Sequence, residues 1–183
     1  MKQKWIENEF IYDGSQLRPL FAFEKYGVEG ESIISWVGAC NVANKHMIDG
    51  EDLFAGDSIR SAKMLHFIIE VFDQPLFGMV ALQRLFASVV KDQLEFDGEE
   101  DFVRDGDDLF LEKAKLSISI ASRDAVSSMI HFAVNVSTDD TPVETVSLED
   151  IGINPKVFSE KVMESFSDEY LGIVRATKKV YSL

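Results

Sequence analysis

Period-two alternation dominates the middle of the chain. From Lys115 to Ala121, Leu116, Ile118 and Ile120 alternate with Lys115, Ser117, Ser119 and Ala121. After a polar interruption, Ser128, Ile130, Phe132, Val134 and Val136 alternate with Met129, His131, Ala133, Asn135 and Ser137. Each run has the period of a half-buried strand. If the two pair as a hairpin, their large apolar side chains must share one core, because a one-residue slip would expose all of them at once. By elimination Lys115, Ser117, Ser119, His131, Ala133 and Asn135 fall on the opposite face. That surface of small and hydrogen-bonding residues, with a cation and an imidazole at its edges, suits an extended ligand lying across the strands. Antiparallel sheets also commonly turn one polar face to water.

The same reading extends outward. Trp5 to Tyr12 has strand-forming residues and ends at the turn Asp13-Gly14-Ser15, with Ser15 as N-cap of a short helix from Gln16 to Tyr26 stopped by Gly27. Ser32 to Val37 predicts a strand, and Gly38 to Asp57 a segment that is mostly loop. Met64 to Phe72 alternates Leu65, Phe67, Ile69 and Val71 against His66, Ile68 and Glu70, a strand that places His66 and Glu70 on one sheet face. Asp73 to Leu94 changes period: Val80, Leu82, Leu85, Phe86, Val89, Val90 and Leu94 form the stripe of a long helix, with Gln83, Arg84, Lys91 and Asp92 toward water. A short strand near Phe102 to Arg104 precedes the hairpin. Ser147 with Asp150 predicts a capped turn, Pro155 to Tyr170 a helix, and Leu171 to Tyr181 a last helix. Strands, a long helix, more strands and then helices imply an α+β domain, a mainly antiparallel sheet with helices packed on one face, in a single domain over residues 1–183.

Composition narrows the function. The formal charge of −14 disfavours binding to nucleic acid or an anionic membrane, since phosphate contacts need clustered Lys and Arg. No run is long and apolar enough to span a bilayer, and no secretory signal is visible, so a cytoplasmic location is expected. Cys40 is the only cysteine, which fits a reducing compartment. His46 with Asp49, Glu51 and Asp52 forms a candidate cluster for a hard metal, but acidic loops are more often solvated and no tight ligand motif is present, so no metal is expected.

Beyond these patterns, KAKLSISIA, then MIHFAVNV, then TVSLEDIGINPKVFSEKVMESF resembles the catalytic core of biotin and lipoate protein ligases. In those enzymes a lysine opens one strand, an Asn-Val pair ends the next, and a Ser-Leu-Glu turn leads to a helix. MLHFIIEVF with ALQRLFASVVKDQL is similar to their preceding strand and helix, and GDDL takes the place of their Asn-Asp turn. YDGSQLRP, MLHF, GDDL and KLSISIA are also similar to a small family of uncharacterised proteins best known from archaea. The ligase resemblance implies that Lys115 contacts carboxyl and phosphate oxygens of an acyl-adenylate, that Asp108 matches the aspartate of the turn and Asn135 the asparagine ending the following strand, and that ATP is a candidate cofactor while the cofactor itself is left open. Arg60, in AGDSIRSAK, is the only candidate for the arginines of the adenylate-binding loop, whose glycine- and arginine-rich sequence is absent here.

Two functions follow, with a third behind them. One is a small-molecule enzyme related to these acyl- or adenylyl-transferring ligases, with Lys115, His131 and His66 catalytic and Arg60, Asp108, Ser117, Ser119, Asn135 and Glu70 binding substrate. The second is a noncatalytic module that recognises a metabolite or peptide on the same fold. The third is a homo-oligomer formed through exposed edge strands.

Overall fold

The computed structural model describes residues 1–56, 59–98 and 100–181. In chain order the elements are β1 (Lys2–Trp5), α1 (Phe21–Tyr26), β2 (Ser32–Val42), α2 (Gly50–Ala55), β3 (Ile59–Val71), α3 (Leu76–Asp97), β4 (Phe102–Asp105), β5 (Asp108–Leu111), β6 (Ala114–Lys115), β7 (Ser117–Arg123), β8 (Ser128–Asn135) and α4 (Pro155–Ala176). The main sheet runs β1-β2-β3-β8-β7, parallel only between β1 and β2. A small sheet, β4-β5-β6, hangs beside it.

Leu65, Phe67, Ile69 and Val71 of β3 share one face with Ile130, Phe132 and Val134 of β8, and α3 and α4 close over that face. Phe86 of α3 sits at the centre, its ring edge-on to Phe67, Phe132 and Phe166 at 5.0–5.2 Å. Burying one such side chain is worth about 1.5–3 kcal/mol gross, so this layer dominates the core. α3 continues to Asp97, three residues past the expected end. Asn154 caps α4 by accepting from Lys156 N–H and Val157 N–H. With no proline or cap after Tyr170, α4 runs on as one helix to Ala176 where two were expected.

The opposite face is half covered. Residues 6–28 cross it and bury Ile6, Tyr12, Phe21, Ala22 and Val28 against Ile34, Trp36, Met64, Ile68 and Ala133. The expected strand from Trp5 to Tyr12 is therefore only partly sheet. β1 ends at Trp5, and the chain rejoins β2 at Tyr12, whose N–H donates to Ala39 O and whose carbonyl accepts from Asn41 N–H. The helix expected from Gln16 is shorter, because Ser15 closes an Asx turn on Asp13 and Leu20 adopts a left-handed conformation before α1 begins. β2 persists to Val42, through part of the segment read as loop, and the remainder forms a 3-10 turn at Asn44–His46 and α2. The last residue of that reading, at 57, lies outside the described residues.

β7 departs most from the alternation. Ser117, Ser119 and Ala121 pair with Val134, Phe132 and Ile130, so they face α3, whereas Ile118 and Ile120 pair with Ala133 and His131 on the other face. The shift originates at Leu116, an extra residue between β6 and β7 that is also buried toward α3. Its N–H donates to Leu109 O in the small sheet and its carbonyl accepts from Asn135 N–H in the main sheet. One inserted residue displaces a period-two pattern by one step, as in a bulge. Two isoleucines consequently face the open side, and two serines meet the helix layer.

The crossing of residues 6–28 depends on Gly38. Phe10 stacks on Trp36 at 4.4 Å and its carbonyl accepts from Trp36 Nε1–H at 3.0 Å. This brings Phe10 O to within 1.9 Å of where a Cβ on Gly38 would stand. Gly38→Ala should therefore lower the unfolding free energy by about 3 kcal/mol, read from the urea midpoint; a midpoint equal to that of the native protein would show that the crossing tolerates a side chain.

Candidate functional site

The uncovered half of that face opens as a cleft of about 670 Å³ between α2, the β5–β6 edge, β7 and residues 141–145. Of the nine residues singled out in the sequence, six line it: Arg60, Asp108, Lys115, Ser117, Ser119 and Asn135. His131 lines a smaller pocket that adjoins it through Ile59, Ile118 and Ser119. His66 and Glu70 line neither.

Lys115 ends β6 and is held from several sides. Its N–H donates to Glu144 O, and its carbonyl accepts from Val146 N–H and from Asn135 Nδ2 at 3.1 Å. Asn135 also donates to Val146 O, so its amide ties Lys115 to the segment after β8. The ammonium pairs with Asp108 Oδ2 at 2.7 Å, and both side chains stay about one-third exposed. Asp108 opens β5 on the β4–β5 hairpin, whose Gly106-Asp107 turn is fixed from α3: Gln83 Nε2 donates to Asp107 Oδ2 at 2.8 Å, and Arg84 lies 3.6 Å from Asp107 Oδ1. Burial and the neighbouring Asp108 charge push the Asp107 carboxyl up from its ordinary value.

Ser117 and Ser119 border the cleft, but their hydroxyls are engaged on the α3 side. Ser117 Oγ accepts from Leu109 N–H at 3.0 Å, stitching the small sheet to the main one, and Ser119 Oγ accepts from Gln83 Nε2 at 2.8 Å. Gln83, read as facing water, is buried for this reason. Arg60 is exposed at the rim, 3.5 Å from Asp140. The cleft also carries Asp49, Glu51, Asp52 and Asp107, so among the described residues, with Asp108, five carboxylates stand against two cations.

The histidines form a buried unit. His66 is wholly buried on β3: Nε2 lies 3.1 Å from Gly38 O and Nδ1 lies 3.1 Å from His131 Nε2. A carbonyl only accepts, so His66 carries its proton on Nε2, and burial drives its pKa down to about 4, which keeps the ring neutral. Its bare Nδ1 then accepts from His131 Nε2–H. Burial and the adjacent His66 likewise hold His131 well below the ordinary histidine value. Tyr12 covers His131 with ring centroids 3.6 Å apart, and Trp36 stacks on His66 at 5.0 Å. With both nitrogens occupied and no exposure, His66 has no route to a ligand, which removes it from the proton-transfer role expected for it.

Glu70 lies in the part of the face covered by the N-terminal segment, where it accepts from Leu20 N–H at 2.8 Å and Ser127 Oγ–H at 2.5 Å. It anchors the residue entering α1 and does not extend the cleft. Burial pushes the Cys40 thiol up to about 12, so it is not a ready thiolate. Among the described residues, no group of three or more His, Cys, Asp or Glu side chains is placed to hold a metal ion, and no helix is long and apolar enough to cross a membrane.

Residues 1–181 match the family model described as a domain of unknown function, DUF366. The chain belongs to that family. It is 31% identical over 172 residues to the "Uncharacterized protein MJ0805" of Methanocaldococcus jannaschii, covering 91% of this chain and 76% of the relative. A solved "Protein of Unknown Function" from Pyrococcus horikoshi superposes with a TM-score of 0.93 at 31% identity, covering all of both chains. Biotin protein ligase from Aquifex aeolicus in complex with biotin and ATP superposes at 0.60 with 14% identity, covering 91% of this chain and 69% of the ligase. A lipoate-protein ligase A bound with ATP superposes at 0.59 with 11% identity, covering 92% and 85%. The DUF366 chain thus has the α+β fold of the biotin and lipoate ligases, as its strand and helix motifs implied.

The imidazole pair makes stability pH-dependent. In the unfolded chain each histidine titrates near its ordinary value of about 6.5, so between that pH and about 4 the unfolded state binds more protons. Stability is full above the upper limit and falls as the pH drops through this window. Between pH 7.5 and 5 the native protein should lose about 2 kcal/mol on account of His66 alone, seen as a falling urea midpoint. The loss should shrink in the double variant His66→Phe/His131→Phe; an unchanged slope there would assign it to carboxylates instead.

Proposed function

We propose that the chain binds a small organic acid, or an activated acyl derivative of one, in the cleft, and that its reaction class is acyl or adenylyl transfer. The observation carrying this reading is Lys115. Its ammonium lines a ligand-sized cleft on a ligase fold, and among the described residues it bonds only to Asp108, leaving two of its three donors for a ligand. An ammonium held this way neutralises charge on acyl or phosphoryl oxygens more strongly than a neutral donor would. Asp108 orients the ammonium. Asp107, with its raised carboxyl, is a cleft-lining group suited to proton transfer. Arg60 supplies a second cation at the rim.

The five carboxylates bear on the cofactor. They repel a bare polyphosphate, so ATP would enter with its charge neutralised by a divalent cation. This electrostatic balance favours transfer from an already activated acyl group over adenylation. A second reading, binding without turnover, draws on the imidazoles: His66 is sealed and His131 neutral, so neither offers a proton at the Lys115 end of the cleft.

Lys115→Ala should keep the native melting temperature within a few degrees and weaken binding of short carboxylic acids at least about tenfold by calorimetry, the loss of one charge-assisted hydrogen bond. Equal affinity in the variant would remove Lys115 from the site. Incubating the native protein with acyl thioesters, and separately with ATP and free acids, tests turnover. Thiol or pyrophosphate release supports transfer, and acid binding without either supports the noncatalytic reading.

A further inference from the structure

The small pocket beside the cleft holds about 50 Å³ and is walled by Val42, Met47, Ile118 and Ile120. Tyr12 and His131 also line it, each at most 3% exposed, with ring planes stacked within 7°. The proton inventory of the ring pair fixes what the pocket presents. His66 donates to Gly38 O and accepts from His131 Nε2–H, so neutral His131 keeps its lone pair on Nδ1. Among the described residues neither His131 Nδ1 nor Tyr12 Oη has a hydrogen-bond partner. Neither atom is sealed from solvent, so each is free to take a partner that enters from outside. The volume suits a terminal group of about three heavy atoms.

We propose that this pocket recognises an uncharged carboxamide-like group, which donates a hydrogen bond to His131 Nδ1 and accepts one from Tyr12 Oη. The apolar walls penalise a charged occupant. Asp49 and Asp52 also line the pocket, Asp49 accepting from Glu51 N–H and Asp52 N–H through Oδ1 as the cap of α2, and their charges repel an anionic occupant. The inference uses the two rings and not Lys115, so it stands or falls separately from the acyl reading of the cleft.

The test titrates the ¹⁵N-labelled native protein with butyramide, methyl butyrate and n-butylammonium, following His131 in long-range ¹H–¹⁵N spectra. Butyramide should move the His131 Nδ1 resonance in the direction of hydrogen-bond acceptance and bind about fivefold more tightly than methyl butyrate, which lacks the donor. His131→Phe should bring those two affinities within about twofold. Tyr12→Phe, which removes only a hydroxyl, should weaken both probes alike. In Lys115→Ala the butyramide response should persist. An unmoved Nδ1 at saturating butyramide, a proton on Nδ1 in the free protein, equal affinity for amide and ester, or tighter binding of n-butylammonium would each overturn the proposal. If His131→Phe does not fold, the Nδ1 response of the native protein decides.

Discussion

The close passage of Phe10 over Gly38 governs the rest of the molecule. Where that carbonyl meets Trp36 Nε1–H, no side chain fits on the strand beneath, and residues 6–28 can lie flat across the sheet. The crossing divides one sheet face into two environments. Beneath the segment, His66 is buried with both ring nitrogens engaged, and Glu70 is buried and accepts from Leu20 N–H and Ser127 Oγ–H. Beyond it, the same face opens as the cleft that holds Lys115. A polar sheet face is thus partitioned into a buried hydrogen-bonded layer and a ligand-sized hollow, with Tyr12 and His131 at the boundary.

The cleft takes its chemistry from a second device. The small sheet carries Asp107, Asp108 and Lys115, and it is attached to the domain by polar contacts. Gln83 and Arg84 hold the Asp107 turn from α3, Ser117 holds Leu109 N–H, and Asn135 holds the Lys115 carbonyl. The ion pair therefore rests on groups already satisfied elsewhere, and the ammonium need not reorganise to meet a ligand. The cost is a cleft richer in carboxylates than in cations, which separates it chemically from a site built for bare polyphosphate.

Much of this was legible in the chain. The alternation of β3 and β8 and the stripe of α3 define the helix-facing core, because each buries large side chains at an unbroken period. Lys115, Asp108 and Asn135 were recognisable from the strand-opening lysine, the GDDL turn and the strand-ending asparagine. What escaped was set by contacts distant in sequence. Leu116 shifts β7 by one residue because it bridges two sheets, and nothing in KLSISIA marks that bridge. Gln83 looks like a surface residue of α3 until Asp107 and Ser119 are placed against it. His66 read as a catalytic candidate because its strand gives no sign that Tyr12 closes over it. The pairing of a glycine in β2 with aromatic residues near the N-terminus was the one available signal, and only the crossing gives it meaning.

The central claim is that the ligand occupies the uncovered half of the sheet face, with its acyl oxygens on Lys115. A crystal structure grown with hexanoate tests this most directly. The account predicts the carboxylate within hydrogen-bonding distance of Lys115 Nζ, with residues 6–28 in place over the histidine pair. A carboxylate bound elsewhere, or a displaced N-terminal segment with hexanoate seated on His66, would contradict it.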